Sequence, residues 1–79
     1  MSRHSLAGKR NYEQLKMIGA CIAQNRKAHA LTQEKLAARV GISRVHLARL
    51  EQGIGAPSLP LLIAISETLE IPLKSLFEI

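Results

Sequence analysis

Cysteine occurs once in the 79 residues, at position 21. An internal disulfide is thereby excluded, and a reducing compartment suits the chain. Aromatic residues are nearly as scarce, amounting to Tyr12 and Phe77. The core must therefore be aliphatic, built mainly from Leu, Ile and Ala. Valine is scarce too, while glycine and proline cluster, which favours helices over a sheet. No apolar run reaches the roughly 18 residues of a membrane span, and the N-terminus lacks the apolar stretch of a signal peptide. A soluble, cytoplasmic protein is expected. His4, His29, His46 and Cys21 share no metal-ligand spacing, so neither a metal nor a cofactor is expected. Serines and carboxylates form no nucleophile and base constellation, which points away from an enzyme.

Positive charge, by contrast, is abundant. Eleven Lys and Arg face six Glu, for a net charge of +5. A polyanion is the natural partner for such a chain. The length allows one domain, close to the lower limit at which a single core suffices, so association with a second copy could supply missing burial.

Residues 1–12, "MSRHSLAGKRNY", are polar, basic and without periodicity; they read as a flexible basic arm ahead of a domain over 13–79. From about Glu13, the spacing of Leu15, Ile18, Ile22 and Arg26 marks the inner face of a helix ending near Ala28. Thr32 is a suitable N-cap for a second helix, in which Leu36, Ala37 and Val40 point inward and which Gly41 stops. Ser43 caps a third helix with Leu47 and Leu50 inward, ending at Gly53. Ser58 caps a fourth, running to about Leu69 with Pro60 in its first turn, and Pro72 opens a short fifth. The expectation is an all-α domain of five helices without a strand.

The second and third helices, joined by a few residues with a glycine at the bend, describe a helix-turn-helix, in which one helix braces the other across a duplex. Ala37 sits where the two axes approach. With Leu47 and Leu50 turned inward, the third helix presents Val45, Ala48, Arg49 and Gln52 outward, flanked by Arg44 and His46. Arg44, Val45 and Arg49 are thus the favoured base readers, since arginine can bond guanine bidentately and a valine methyl can meet that of thymine. Phosphate or flanking contacts are expected from Thr32, Gln33, Lys35, Ser43 and His46, at or near helix starts where free N–H groups favour an anion.

Residues 18–77 resemble the Cro/repressor (XRE-type) helix-turn-helix family, on Ile18, Ile22, Arg26, "LTQEKLA" at 31–37, "GIS" at 41–43, "LARLEQG" at 47–53, "PS" at 57–58 and "IPLKSLF" at 71–77. The resemblance implies a five-helix, lambda-repressor-like fold and a sequence-specific transcriptional regulator bound to double-stranded DNA. It implies that Gln33 touches a backbone phosphate and braces the first reader, and that Arg26 pairs with Glu51; the helical phase of Glu51, near the inward side, agrees. Three positions depart from the family pattern. Ala30 and Glu70 stand where it often has a helix-ending glycine, so each helix must end differently or accept a positive φ at roughly 1 kcal/mol. Asn25 stands at a usually apolar position.

The fourth helix, "LPLLIAISETLE", is apolar nearly all round. One face covers the core, and the other suggests a homodimer through Leu61, Ala64, Leu73 and Phe77. A repressor or autoregulator on an inverted-repeat operator is the leading reading, with no small-molecule effector expected. A restriction-modification controller protein or an antitoxin of the same fold are the alternatives within DNA binding. A protein-interaction module without base readout is the alternative outside it.

Overall fold

The computed structural model describes residues 3–78, with side chains from Tyr12 onward. Four α-helices follow one another: α1 (Arg3–Ala28), α2 (Gln33–Val40), α3 (Arg44–Glu51) and α4 (Leu59–Thr68). No strand occurs among the described residues. The expected fifth helix is instead a single 3₁₀ turn over Leu73–Leu76. Ser75 N–H donates to Pro72 O and Phe77 N–H to Lys74 O, each spanning three residues. Four residues are too few to repay the nucleation of an α-helix, and the tighter i to i+3 pattern serves short pieces. Pro72 stands ahead of this turn as its cap, at φ −65°.

At the other end, α1 begins at Arg3, ten residues before the Glu13 to which the apolar periodicity points. Periodicity reports a buried face, whereas Leu6, Ala7, Lys9 and Arg10 favour a helix by propensity alone. The basic side chains of the arm expected over 1–12 lie outside the described residues.

Side-chain caps open three of the helices. Thr32 Oγ1 accepts from Lys35 N–H at 3.1 Å, Ser43 Oγ from His46 N–H at 3.0 Å and Ser58 Oγ from Leu61 N–H at 3.2 Å. Each satisfies one orphan donor of a first turn. The core is wholly aliphatic: Ile22 of α1, Leu36 and Ala37 of α2, Leu47 and Leu50 of α3, Leu62 and Ile65 of α4, then Leu69 and Leu76. Helix α1 lies against α3, α2 packs on α3 and α4, and the 3₁₀ turn closes the core between α4 and α1. Buried Cys21 helps hold that closure, its thiol donating to Glu78 O at 3.1 Å.

Of the three departures from the family pattern, the two at helix ends take a positive φ. Ala30 sits at 55° and Glu70 at 56°. Asn25, half-buried on α1, satisfies its amide locally by donating to Cys21 O at 2.8 Å.

Candidate nucleic-acid interface

The turn between α2 and α3 is three residues long, Gly41 to Ser43. Gly41 takes φ 79° and ψ 30°, and its N–H returns to Ala37 O. Ile42 N–H reaches the same oxygen at 3.0 Å. The left-handed residue thus reverses the chain and satisfies the end of α2 at once. Ala37, 2% exposed, belongs to the core that α2 shares with α3 and α4.

This turn fixes which side of α3 faces out. Leu47 and Leu50 are buried, while Arg44, Val45, His46, Arg49 and Gln52 are exposed and Ala48 is half-buried. Val45 is 53% exposed, unusual for a β-branched apolar residue with a core one turn away. Arg44 and Val45 open α3, and Arg49, four residues after Val45, lies on the same side as Val45, with Arg44 on the flank. One guanidinium and an isopropyl group therefore project from one strip, with a second guanidinium beside it. Thr32 and Ser43 stand at the starts of α2 and α3, where the remaining first-turn N–H groups and the helix dipole favour an anion. Lys35 and His46, one turn into each helix, are exposed beside them.

Behind α3 lies a polar network that is nearly dry. Arg26 Nε donates to Glu51 Oε2 at 2.6 Å and Nη2 to Oε1 at 3.1 Å. Its Nη1 donates to Leu31 O at 2.8 Å. Gln33 Nε2 donates to Glu51 Oε1 at 2.8 Å. The Arg26 and Glu51 side chains are 10% and 6% exposed. A charge pair this buried is sustained by complete hydrogen bonding. It ties the end of α1, the start of α2 and the end of α3 into one unit. Gln33 is half-buried at the first turn of α2 and its amide is held by Glu51, so it offers its remaining polar capacity from a fixed position.

Sequence reasoning passed over one residue here. Gly19, inside α1, is buried against the last turn of α3, where an added Cβ would stand 2.2 Å from Leu50 O. The available signal was the cost itself: a mid-helix glycine loses about 1 kcal/mol relative to alanine, so it calls for a packing reason.

The residues expected at a dimer contact are not one exposed patch. Leu61, Ala64 and Leu73 are half-buried, and Leu61 and Leu73 pack on the core, while Phe77 is 50% exposed. The more exposed apolar residues of α4 are Leu59 and Ile63. Among the described residues no cluster of three His, Cys, Asp or Glu could hold a metal, and no helix is long and apolar enough to cross a membrane.

Comparison with known proteins agrees with this geometry. A helix-turn-helix family model matches residues 22–76. The HTH-type transcriptional regulator SlrR of Bacillus subtilis (strain 168) is 36% identical over 63 residues, which are 78% of this chain and 41% of SlrR. The chain thus spans about two fifths of that curated relative's length. Among solved structures, the restriction-modification controller protein C.AhdI of Aeromonas hydrophila superposes with a TM-score of 0.80 at 30% identity, covering 84% of this chain and all of that one. A family model matched over residues 22–76 and a fold matched over most of the chain have one reading: the chain belongs to the XRE-type helix-turn-helix family of DNA-binding transcriptional regulators.

Proposed function

We propose that the protein binds an inverted-repeat operator as a homodimer in the cytoplasm and controls transcription from it, with α3 of each copy in a major groove. The observation that carries this reading is the exposed side of α3 that bears Val45 and Arg49 with Arg44 on its flank, beside the capped starts of α2 and α3. Arg44 and Arg49 bond guanine edges bidentately, and Val45 meets a thymine methyl. Thr32, Gln33, Lys35, Ser43 and His46 hold the phosphates on either side and set the depth of α3 in the groove. Two-fold symmetry puts the half-site centres about 34 Å, or one helical turn, apart.

Dimerisation is supported by the apolar surface that one copy leaves in water, with Leu59, Ile63 and Phe77 each more than a third exposed. The contact runs along α4 and the 3₁₀ turn, through Leu61, Ala64, Leu73 and Phe77. Similarity over the full length of a restriction-modification controller protein favours control of a small operon over an antitoxin role. The test is selection of bound duplexes from a random pool at fixed salt. Enrichment of an inverted repeat with half-sites about ten base pairs apart is expected; a pool that never enriches would leave backbone attraction alone and favour a protein-interaction module.

A further inference from the structure

From the seam between α1 and α3, and resting on the proposal that α3 reads bases, we infer that Gly19 is a positioning residue for DNA recognition: it sets the tilt of α3 and thereby the aim of Arg49. The seam is a backbone contact. A Cβ on Gly19 would stand 2.2 Å from Leu50 O, 2.7 Å from Glu51 O and 2.8 Å from Glu51 C. One turn earlier on the same face of α1, the backbone of Lys16 closes on Gly53, whose own Cβ would stand 2.7 Å from Lys16 Cα and 2.8 Å from Lys16 N. Two turns later Arg26 grips Glu51. Helix α1 therefore lies flat on the C-terminal end of α3 through Lys16, Gly19 and Arg26, with no side chain between the backbones at Gly19.

The atoms that a side chain at Gly19 would strike are carbonyl groups of α3 itself, which cannot rotate aside as a flexible side chain would. The helices must part by roughly 1 Å before the contact becomes ordinary, because close-packed interiors transmit such a shift rather than absorb it. The N-terminal end of α3 stays anchored, through the three-residue turn from α2 and through Leu47 in the core. The movement is thus a tilt about that anchor, and it is largest at the end that carries Arg49, immediately before Leu50. At a rise of about 1.5 Å per residue, Leu50 lies roughly 9 Å from Arg44, so a 1 Å lift tilts α3 by about 6°. A bidentate contact does not survive a displacement of that size, since a donor at about 3.6 Å is no longer hydrogen-bonded. Arg44 and Val45, at the anchored end, keep their aim.

The test compares wild type, Gly19→Ala, Arg44→Ala and Arg49→Ala on the selected operator and on operators changed at one base pair at a time. Ile65→Val, in the core away from the seam, serves as the destabilised control, and all are measured at a temperature where each is folded by circular dichroism. The expected result is that Gly19→Ala loses discrimination, about 5- to 150-fold, at the base pair that Arg49→Ala also relaxes. It keeps discrimination at the Arg44 base pair, and Ile65→Val keeps both. A folded Gly19→Ala that discriminates like wild type overturns the inference and leaves base reading by α3 intact. Even weakening at every base pair also overturns it, since that is a structural effect alone. So does failure to fold when Gly19→Ala is combined with Ala30→Gly and Glu70→Gly, which relieve backbone strain elsewhere. A wild-type chain that discriminates at no base pair overturns base reading itself, and the seam's role with it.

Discussion

Arg26 and Glu51, 25 residues apart in sequence, meet through two hydrogen bonds of 2.6 and 3.1 Å in a setting almost closed to water. Removing one partner leaves the other charged, buried and unmatched, which costs about 3–5 kcal/mol. Arg26→Ala should therefore lower the unfolding free energy by about that amount in urea denaturation. Replacing both residues by apolar ones of similar volume should cost far less. Equal losses from the single and double changes would mean that packing, and not charge, holds the three helices there.

Backbone strain at Ala30 and Glu70 yields a prediction of opposite sign. Each holds a φ near 55°, which costs an L-residue roughly 1–2 kcal/mol, part of which a glycine returns through the greater freedom of its unfolded chain. Ala30→Gly and Glu70→Gly should each stabilise by about 0.5–1 kcal/mol. For a chain of this size the rise in Tm is several degrees. A fall in Tm at either position would show that the side chain's contacts outweigh its strain.

Caps on α2 and α3 should report differently from the cap on α4. Thr32→Ala, Ser43→Ala and Ser58→Ala each remove one side-chain acceptor and should each cost about 0.5–2 kcal/mol of stability. Only the first two stand at the proposed phosphate contacts, so only they should also weaken DNA affinity when measured well below Tm. Equal loss of affinity from Ser58→Ala would move the interface toward α4.

Charge on the outer surface should divide by its distance from the bases. Arg44→Ala or Arg49→Ala should cost roughly 1–3 kcal/mol at particular base pairs, visible as relaxed preference in a repeated selection. Lys35→Ala should weaken all sequences alike and reduce the salt slope of log K by about one. An unchanged footprint and preference for Arg44→Ala would mean that α3 docks with another face.

Much of this was legible where the signal is local. Thr32, Ser43 and Ser58 announce helix starts because a short oxygen side chain just ahead of an apolar helical pattern suits the N-cap, and Gly41 announces the turn because few residues enter the left-handed region cheaply. The outward set on α3 followed from placing Leu47 and Leu50 inward. What escaped depends on distant parts of the chain. At Ala30 and Glu70 the sequence left open whether the helix ends otherwise or accepts strain; packing of Leu31 and Ile71 on the core decides for strain. The last turn looked like a helix because Pro72 and an apolar pattern suit either form, and only its length makes it 3₁₀. Gly19, a costly residue inside a helix, signals that something packs there but not what, since the carbonyl groups it admits belong to residues more than 30 positions away.

Gly41 differs from Gly19 in what it excludes. A Cβ built there meets nothing within 4 Å, yet its φ of 79° is one that L-residues rarely adopt. Space is free at the bend of the motif, and what the position refuses is a handedness. A D-alanine introduced there by chemical synthesis prefers the φ that the turn requires, while restricting the unfolded chain more than glycine does. The bend that sets the direction of α3 is thus best served, among the encoded residues, by the achiral one, and a mirror-image residue would make it firmer.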